Sequence, residues 1–425
     1  MDTQQVQLLF VDLAVIIVLA AGAGRLAVRL GQPPVIGEIT VGVALGTALP
    51  LLQATDRVLP PDVRTVLAGL AAVGVAWFMF AIGLELDADR LRSRARSVAS
   101  VATWSMVGAF TLGVLTAVPL LHRHPTATPV LFAAFLGLAM SVTAFPVLAR
   151  ILADRGLLRT TVGELALSTA AFIDVIAWTG LSLVLAVSRG EDSWSVLLVV
   201  PYVATMFLVV RPLLVRLLRP ADPERETAPH ATVVLFGLAL LSGAATEAIG
   251  LHFIFGAFLA GLVVNLDAAP ALRESLCERA EKLSAPLLPV YFLMAGLSLG
   301  LGSLQLADLA EALLLLTVAV VGKVGVAYAV GRLRGMTPPD AVLLGVLLNT
   351  RGLTELIVLG AGYGAGLIDR SLYAMMMFVA VVTTAMTGPL ITLLQRVERR
   401  RTGPGRLGTP ASEGNPSTRS GGSQD

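Results

Sequence analysis

Val98–Leu121 and Ser371–Gln395 each run for more than twenty residues without one charged side chain. A helix of that length crosses the hydrocarbon core of a bilayer with every backbone hydrogen bond satisfied internally. The rest of the chain agrees. Of its 425 residues 56% are hydrophobic and 14% charged, against about 25% charged in a soluble domain. The sequence therefore predicts an all-α membrane protein. We read about 13 spans: 6–30, 34–51, 63–86, 97–121, 128–151, 161–187, 193–218, 230–249, 251–267, 284–303, 306–331, 339–362 and 371–395.

Charge placement sets the expected orientation. With the N-terminus outside, the outer loops hold Arg57, Arg64, Arg123, Arg189 and Arg370, whereas one inner loop alone holds Arg90, Arg92, Arg94 and Arg96. Basic residues favour the cytoplasmic side, so the C-terminus is expected in the cytoplasm. Val6–Gly24, interrupted only by Asp12, has no Lys or Arg before it and Arg25 and Arg29 after it. A signal peptide has the opposite polarity, so this stretch reads as a true first span. Residues 402–425, rich in Gly, Ser, Pro and Thr, read as a disordered cytoplasmic tail. The single cysteine, Cys277, excludes an internal disulfide framework and falls in what reads as a polar loop. No G-x-G-x-x-G opens a βαβ unit.

Asp174 is the only charged residue in Leu165–Val187 and lies near its middle. A carboxylate at the bilayer midplane costs several kcal/mol unless it faces a wet cavity or a partner cation. Ala170, Ala171 and Ala177, one turn away, leave room for water or an ion. Asp174 can hold either a proton or a metal cation. Other polar residues interrupt apolar spans. Pro146 removes a backbone hydrogen bond and clashes one turn back, freeing carbonyls near Val142 and Thr143. Asn349, Thr350, Arg351 and Gly352 interrupt the twelfth span, where Arg351 and Glu355 are four apart and share a face. Lys323 lies too deep to snorkel, and Asp174 is its natural partner. Glu38, Glu85 and Asp87 are expected at the membrane interface. His252 at a span end reads as structural. No cluster suits a transition metal, a nucleophile elbow or a phosphate loop, so neither an enzyme nor a cofactor is expected.

FMFAIGLELD (78–87) resembles YFLMAGLSLG (291–300), and the break at SVTAFP (141–146) is matched by NTRG (349–352). Both pairs are seven spans apart, which predicts an inverted repeat. Transporters build midplane sites from such repeats with interrupted helices. Repeat one covers about 6–187, a linker helix about 193–218 and repeat two about 230–395, all within a membrane domain of residues 1–401.

Taken together, GQPPVIGEI (31–39), FAIGLELD (80–87), SVTAFPVLARIL (141–152), ALSTAAFIDVIAW (166–178), HFIFGAFLAGLVV (252–264), LLPVYFLMAGLSL (287–299), VGKVG (321–325) and NTRGLTELIVL (349–359) resemble the monovalent cation:proton antiporter-2 family, which includes Kef-type proteins and plant cation/H⁺ exchangers. The resemblance implies an NhaA-like fold with two crossing discontinuous helices, spans 5 and 12, and a panel that forms a homodimer. It maps the essential aspartate onto Asp174, basic residues onto Lys323 and Arg351, and the first crossing onto Thr143. The family has a polar residue just before its essential aspartate, and here that residue is Ile173.

The expectation is an antiporter of the bacterial cytoplasmic membrane exchanging one K⁺ or Na⁺ for one H⁺. The transient cation and the proton compete at Asp174, beside Thr143, with Lys323, Arg351 and Glu355 balancing charge. Its partners would be those ions and the lipid bilayer, with no nucleic acid. The alternatives are a proton-coupled exporter of an organic cation or ionophore, a K⁺ channel-like efflux protein and a non-transporting membrane regulator.

Overall fold

A computed structural model describes residues 3–53, 55–85, 95–126, 128–189, 198–217, 228–264, 270–297 and 308–402, and these contain helices and no strands. The helices are α1 (Thr3–Arg29), α2 (Pro34–Leu51), α3 (Pro61–Glu85), α4 (Ala95–Leu120), α5 (Pro129–Ser141), α6 (Phe145–Asp154), α7 (Thr161–Arg189), α8 (Val199–Thr205), α9 (Arg211–Leu217), α10 (Ala228–Ala248), α11 (Phe253–Val263), α12 (Pro270–Ser284), α13 (Leu287–Leu297), α14 (Leu309–Val320), α15 (Val326–Leu333), α16 (Pro338–Leu348), α17 (Leu353–Gly364) and α18 (Arg370–Thr402). Eight segments are long and apolar enough to cross a membrane, and five shorter apolar helices occupy the remaining expected positions. The tail beyond 402, Asp87 and the loop arginines Arg90, Arg92, Arg94, Arg219 and Arg225 lie outside the described residues.

The helices pack in two groups. In one, α1 lies on α2, α2 on α13, α3 on α11 and α10 on α11. In the other, α4 packs on α5, α7 and α15, while α18 packs on α14, α16 and α17. Lipid tails give helices no hydrophobic reason to associate, so small residues and close backbone contact do that work. A Cβ on Gly42 would sit 2.1 Å from the Leu293 carbonyl oxygen, and one on Gly296 2.3 Å from that of Ile39. The α3–α11 pair repeats the device, with Gly83 facing the Phe258 carbonyl at 2.1 Å and Gly261 that of Phe80 at 2.0 Å.

Several expectations change. Cys277 sits half-buried on a helix, α12, and not in a polar loop. That segment is made of helix-forming Ala, Leu, Glu, Arg and Lys with Pro270 in its first turn. Arg273 projects from it to the Leu84 and Glu85 carbonyls at 2.9 and 2.5 Å and caps the end of α3. Burial is the main cause that pushes the Cys277 thiol up to about 11. Glu38 is 3% exposed, because α2 lays its first turns against α1 and α6, and its Oε2 has no protein partner. Glu85 stays at the surface, 3.7 Å from Arg159. His252 is structural as expected: it caps α11 and lies against Trp178, with ring centroids 5.4 Å apart.

At one end of the second group, His124 joins three elements. Its Nδ1 is 2.5 Å from Asp369 and its Nε2 3.0 Å from Glu311, which also meets Arg123 at 2.9 Å. Burial works against the charged imidazole, but the hydrogen bonds to Asp369 and Glu311 outweigh it and hold its pKa above the usual range.

Candidate functional site

The site begins with a helix that stops and restarts. α5 ends at Ser141, Val142 and Ala144 are extended (ψ 144° and 92°), and α6 starts at Phe145. Pro146 lies in the first turn of α6, where a missing N–H costs nothing. It can neither donate to the Val142 carbonyl nor tolerate that carbonyl in helical position, so the break falls ahead of it rather than at it. In the same way, α16 ends at Leu348 and α17 starts at Leu353. Gly352 belongs at this second break because a Cβ there would meet Val147 Cγ2 at 2.6 Å.

The two breaks cross. The Ala144 N–H donates to the Thr350 carbonyl at 2.9 Å, and the Thr143 hydroxyl donates to the Leu348 carbonyl at 2.9 Å. The crossing thus brings together Thr143, Pro146, Asn349, Thr350, Arg351 and Gly352. It is braced by a residue the sequence reading missed. The Thr384 hydroxyl, on α18, accepts from the Arg351 N–H at 3.1 Å and donates to the Arg351 carbonyl at 2.5 Å. Thr383, Thr384 and Thr387 form a polar run inside an otherwise apolar span, and that run was the available signal.

Each broken end carries the partial charge of an unpaired helix terminus. The carbonyl end of α5 faces two cations. Arg351 donates to the Ala139 and Met140 carbonyls at 3.3 and 2.8 Å, and Lys323 donates to the Ser141 carbonyl. Lys323 also donates to Thr143 Oγ1 at 2.9 Å. The amide end of α6 faces the anion: the Phe145 N–H donates to Asp174 Oδ2 at 3.3 Å. Lys323 and Asp174 are therefore not an ion pair. A broken helix supplies carbonyls that hold the ammonium, and among the described residues no contact within 4.0 Å joins the two side chains. Glu355, in the first turn of α17, pairs with Arg351 as expected. Its Oε2 and the Asn349 Oδ1 have no protein partner.

Asp174 is 1% exposed, and Thr143, Lys323, Arg351 and Glu355 are 0%. Asp174 Oδ1 makes no hydrogen bond within the protein, which leaves its lone pairs for a proton or a cation. Ile173, 0% exposed, offers no second ligand beside it. Thr143 Oγ1 is already engaged by Lys323 and Leu348, so it holds the crossing together. The Phe145 ring meets Phe258 edge-on at 4.8 Å and stacks on Phe255 at 6.1 Å. Those two α11 rings line a cavity of about 820 Å³ that Asp174 itself does not line.

Two crossed, interrupted helices with charges matched to their ends are one way membrane proteins hold small ions near the midplane. The sodium/hydrogen exchanger transmembrane family model matches residues 14–396. This chain belongs to the sodium/hydrogen exchanger family. Membership places it among transporters rather than enzymes. The exchanger is 35% identical over 405 residues to the Na⁺/H⁺ antiporter NhaS4 of Synechocystis, a match covering 92% of this chain and 98% of that one. It is 34% identical to cation/H⁺ antiporter 20 of Arabidopsis thaliana and 30% identical to K⁺/H⁺ antiporter 1 of Saccharomyces cerevisiae. The matches cover 92% and 90% of this chain but only 49% and 46% of those longer proteins. Its fold is that of the sodium proton antiporter MjNhaP1 of Methanocaldococcus jannaschii, with a TM-score of 0.67, 13% identity, and coverage of 96% of this chain and 100% of that one.

Proposed function

We propose that this exchanger moves one K⁺ or Na⁺ against one H⁺ and that both ions compete for Asp174. The observation that carries the reading is a fully buried carboxylate at the amide end of a broken helix, with one oxygen uncommitted. The relatives' names, Na⁺/H⁺ and K⁺/H⁺ antiporters, support the class of ions. A bare carboxylate crosses a hydrophobic barrier at a cost of several kcal/mol, whereas one neutralised by a proton or a cation crosses cheaply. Exchange follows because the empty, charged site is the state that does not cross. Lys323 and Arg351 stay with the α5 carbonyls in both loaded states and keep the crossing intact. Ile173 leaves a single titrating carboxylate beside them, which supports one-for-one stoichiometry.

The moving unit in this reading is the group holding α4–α7 and α14–α18, sliding against the group built on α1–α3, α10, α11 and α13. Each group takes helices from both inverted repeats, about 6–187 and 230–395, with 193–218 as linker. The basic residues favour an outside N-terminus and a cytoplasmic C-terminus in a bacterial cytoplasmic membrane. The lipid-side face of α1, with Phe10 67% and Val18 69% exposed, suits a homodimer contact.

Proton flux in everted vesicles on addition of K⁺, Na⁺ or Li⁺ tests the reading. The wild-type chain should move protons in response to K⁺ or Na⁺, and Asp174→Asn should abolish this at unchanged expression. Retention of full cation-driven flux by the variant would refute the role of Asp174. A strong response of exchange to an imposed membrane potential would refute the one-for-one ratio.

A further inference from the structure

The cavity of about 820 Å³ lies between α7, the α8–α9 pair and the α10–α11 corner. Phe172, Val175, Val203, Leu208, Phe255 and Leu259 give it apolar walls. Phe172 and Leu208 are 43% and 75% exposed on apolar helical segments, so the cavity opens on an apolar surface suited to lipid. Its hydroxyls are already spent. Ser168 donates to the Glu164 carbonyl at 2.7 Å, Thr246 to the Gly243 carbonyl at 2.9 Å, and Tyr202 bonds Ser242 at 2.5 Å. No carboxylate lines it. A cation would find no counter-charge there.

The one charged residue of the wall is Arg211, whose guanidinium makes no hydrogen bond or ion pair among the described residues. Its position has a local cause. Pro212 has no N–H to offer the Leu208 carbonyl, and the chain widens into a π turn over Met206–Val210. The Arg211 N–H then reaches back five residues to the Met206 carbonyl. The extra residue in this turn shifts the face that follows and brings the guanidinium to the cavity.

An unpaired guanidinium in the wall of an apolar crevice suits a long apolar chain ending in an anion. Arg presents a fork of donors that fits phosphate, and basic pockets between membrane helices bind anionic headgroups. A choline headgroup would add a second cation beside Arg211, whereas a glycerol headgroup would not. We propose that this cavity holds one anionic phospholipid, with an acyl chain along the α7 wall and its phosphate on Arg211. The occupant touches Ala171 and Val175, which flank Asp174 on α7. It therefore lies against the helix that carries Asp174.

The test titrates the purified full-length chain in neutral detergent with phosphatidylglycerol, phosphatidylcholine or glycerol 3-phosphate and counts bound molecules by native mass spectrometry. The expected result is binding of one phosphatidylglycerol about tenfold or more tighter than phosphatidylcholine, because both bring a phosphate to Arg211 but only choline sets a second cation beside it. Glycerol 3-phosphate should not displace it. Arg211→Gln should lower phosphatidylglycerol to the phosphatidylcholine level, and Arg211→Lys should keep part of the preference. Val203→Trp, which narrows the cavity without touching a charge, should lower both lipids. Arg216→Gln, on the exposed side of α9, should change nothing. Equal binding of the two lipids, an unaltered preference in Arg211→Gln, or displacement by glycerol 3-phosphate would each overturn the proposal.

Discussion

Replacing Arg351 by Met removes three interactions at once and leaves their partners inside the protein. The Ala139 and Met140 carbonyls lose donors at 3.3 and 2.8 Å, and the 0% exposed Glu355 carboxylate loses its counter-ion. Breaking a buried pair by removing one partner costs about 3–5 kcal/mol. Each abandoned carbonyl adds about 1–3 kcal/mol if nothing replaces the donor. Protonation of Glu355 limits the ion-pair part, so the low end of the sum, about 5 kcal/mol, is expected for Arg351→Met. Glu355→Gln keeps an acceptor for Arg351 and should cost about 1–2 kcal/mol. In the double variant the anion is gone and only the carbonyls suffer. It should therefore be more stable than the sum of the single effects, by about 1–3 kcal/mol. Unfolding of the four proteins in mixed micelles, followed by tryptophan fluorescence, gives the coupling. If the single effects add to within about 0.5 kcal/mol, the pair is not the compensated unit described above.

Three further outcomes follow from the geometry. Thr143→Val removes an acceptor from Lys323 and a donor from Leu348, and should lower stability by about 2 kcal/mol, whereas Thr143→Ser should recover most of it; thermal denaturation in detergent reads both. Because the folded-state pKa of His124 is raised, the bonds it makes to Asp369 and Glu311 stabilise fully below the ordinary imidazole value of about 6.5 and are lost as pH rises through the raised one. Melting temperature should accordingly fall over that window in the wild-type chain, with the pH slope flattened in His124→Gln. Gly42→Val would push a side chain into the Leu293 carbonyl, 2.1 Å from the first added carbon. It should force α2 off α13 and cost more than 3 kcal/mol, above the usual range for overpacking, while Gly22→Ala, with nothing within 4 Å, should be tolerated.

Much of this was legible in the chain because membrane insertion is read locally. A charge-free run long enough to cross lipid has one stable solution, so the spans emerged from hydropathy alone. Pro146, Gly352 and the lone Asp174 advertised themselves as costs that a membrane tolerates only for a reason. Partner choice was not legible, because it depends on which end of which helix lies opposite. Its depth in an apolar span assigns Lys323 a carboxylate partner, yet the freed α5 carbonyls serve it. The burial of Glu38 comes from the packing of α2 on α1 and α6, which no local pattern encodes. α12 escaped because a short polar helix on a protein surface carries no hydropathy signal. The turn at Met206–Val210 depends on one missing N–H, which a window average erases.

The central claim is that proton and cation share one side chain. Protons released on cation binding measure this directly. Purified protein in weakly buffered detergent solution is mixed with saturating K⁺ or Na⁺, and a pH dye counts the protons. The account predicts close to one proton per bound cation in the wild-type chain and none in Asp174→Asn. Cation binding without proton release, or undiminished release from Asp174→Asn, would contradict it.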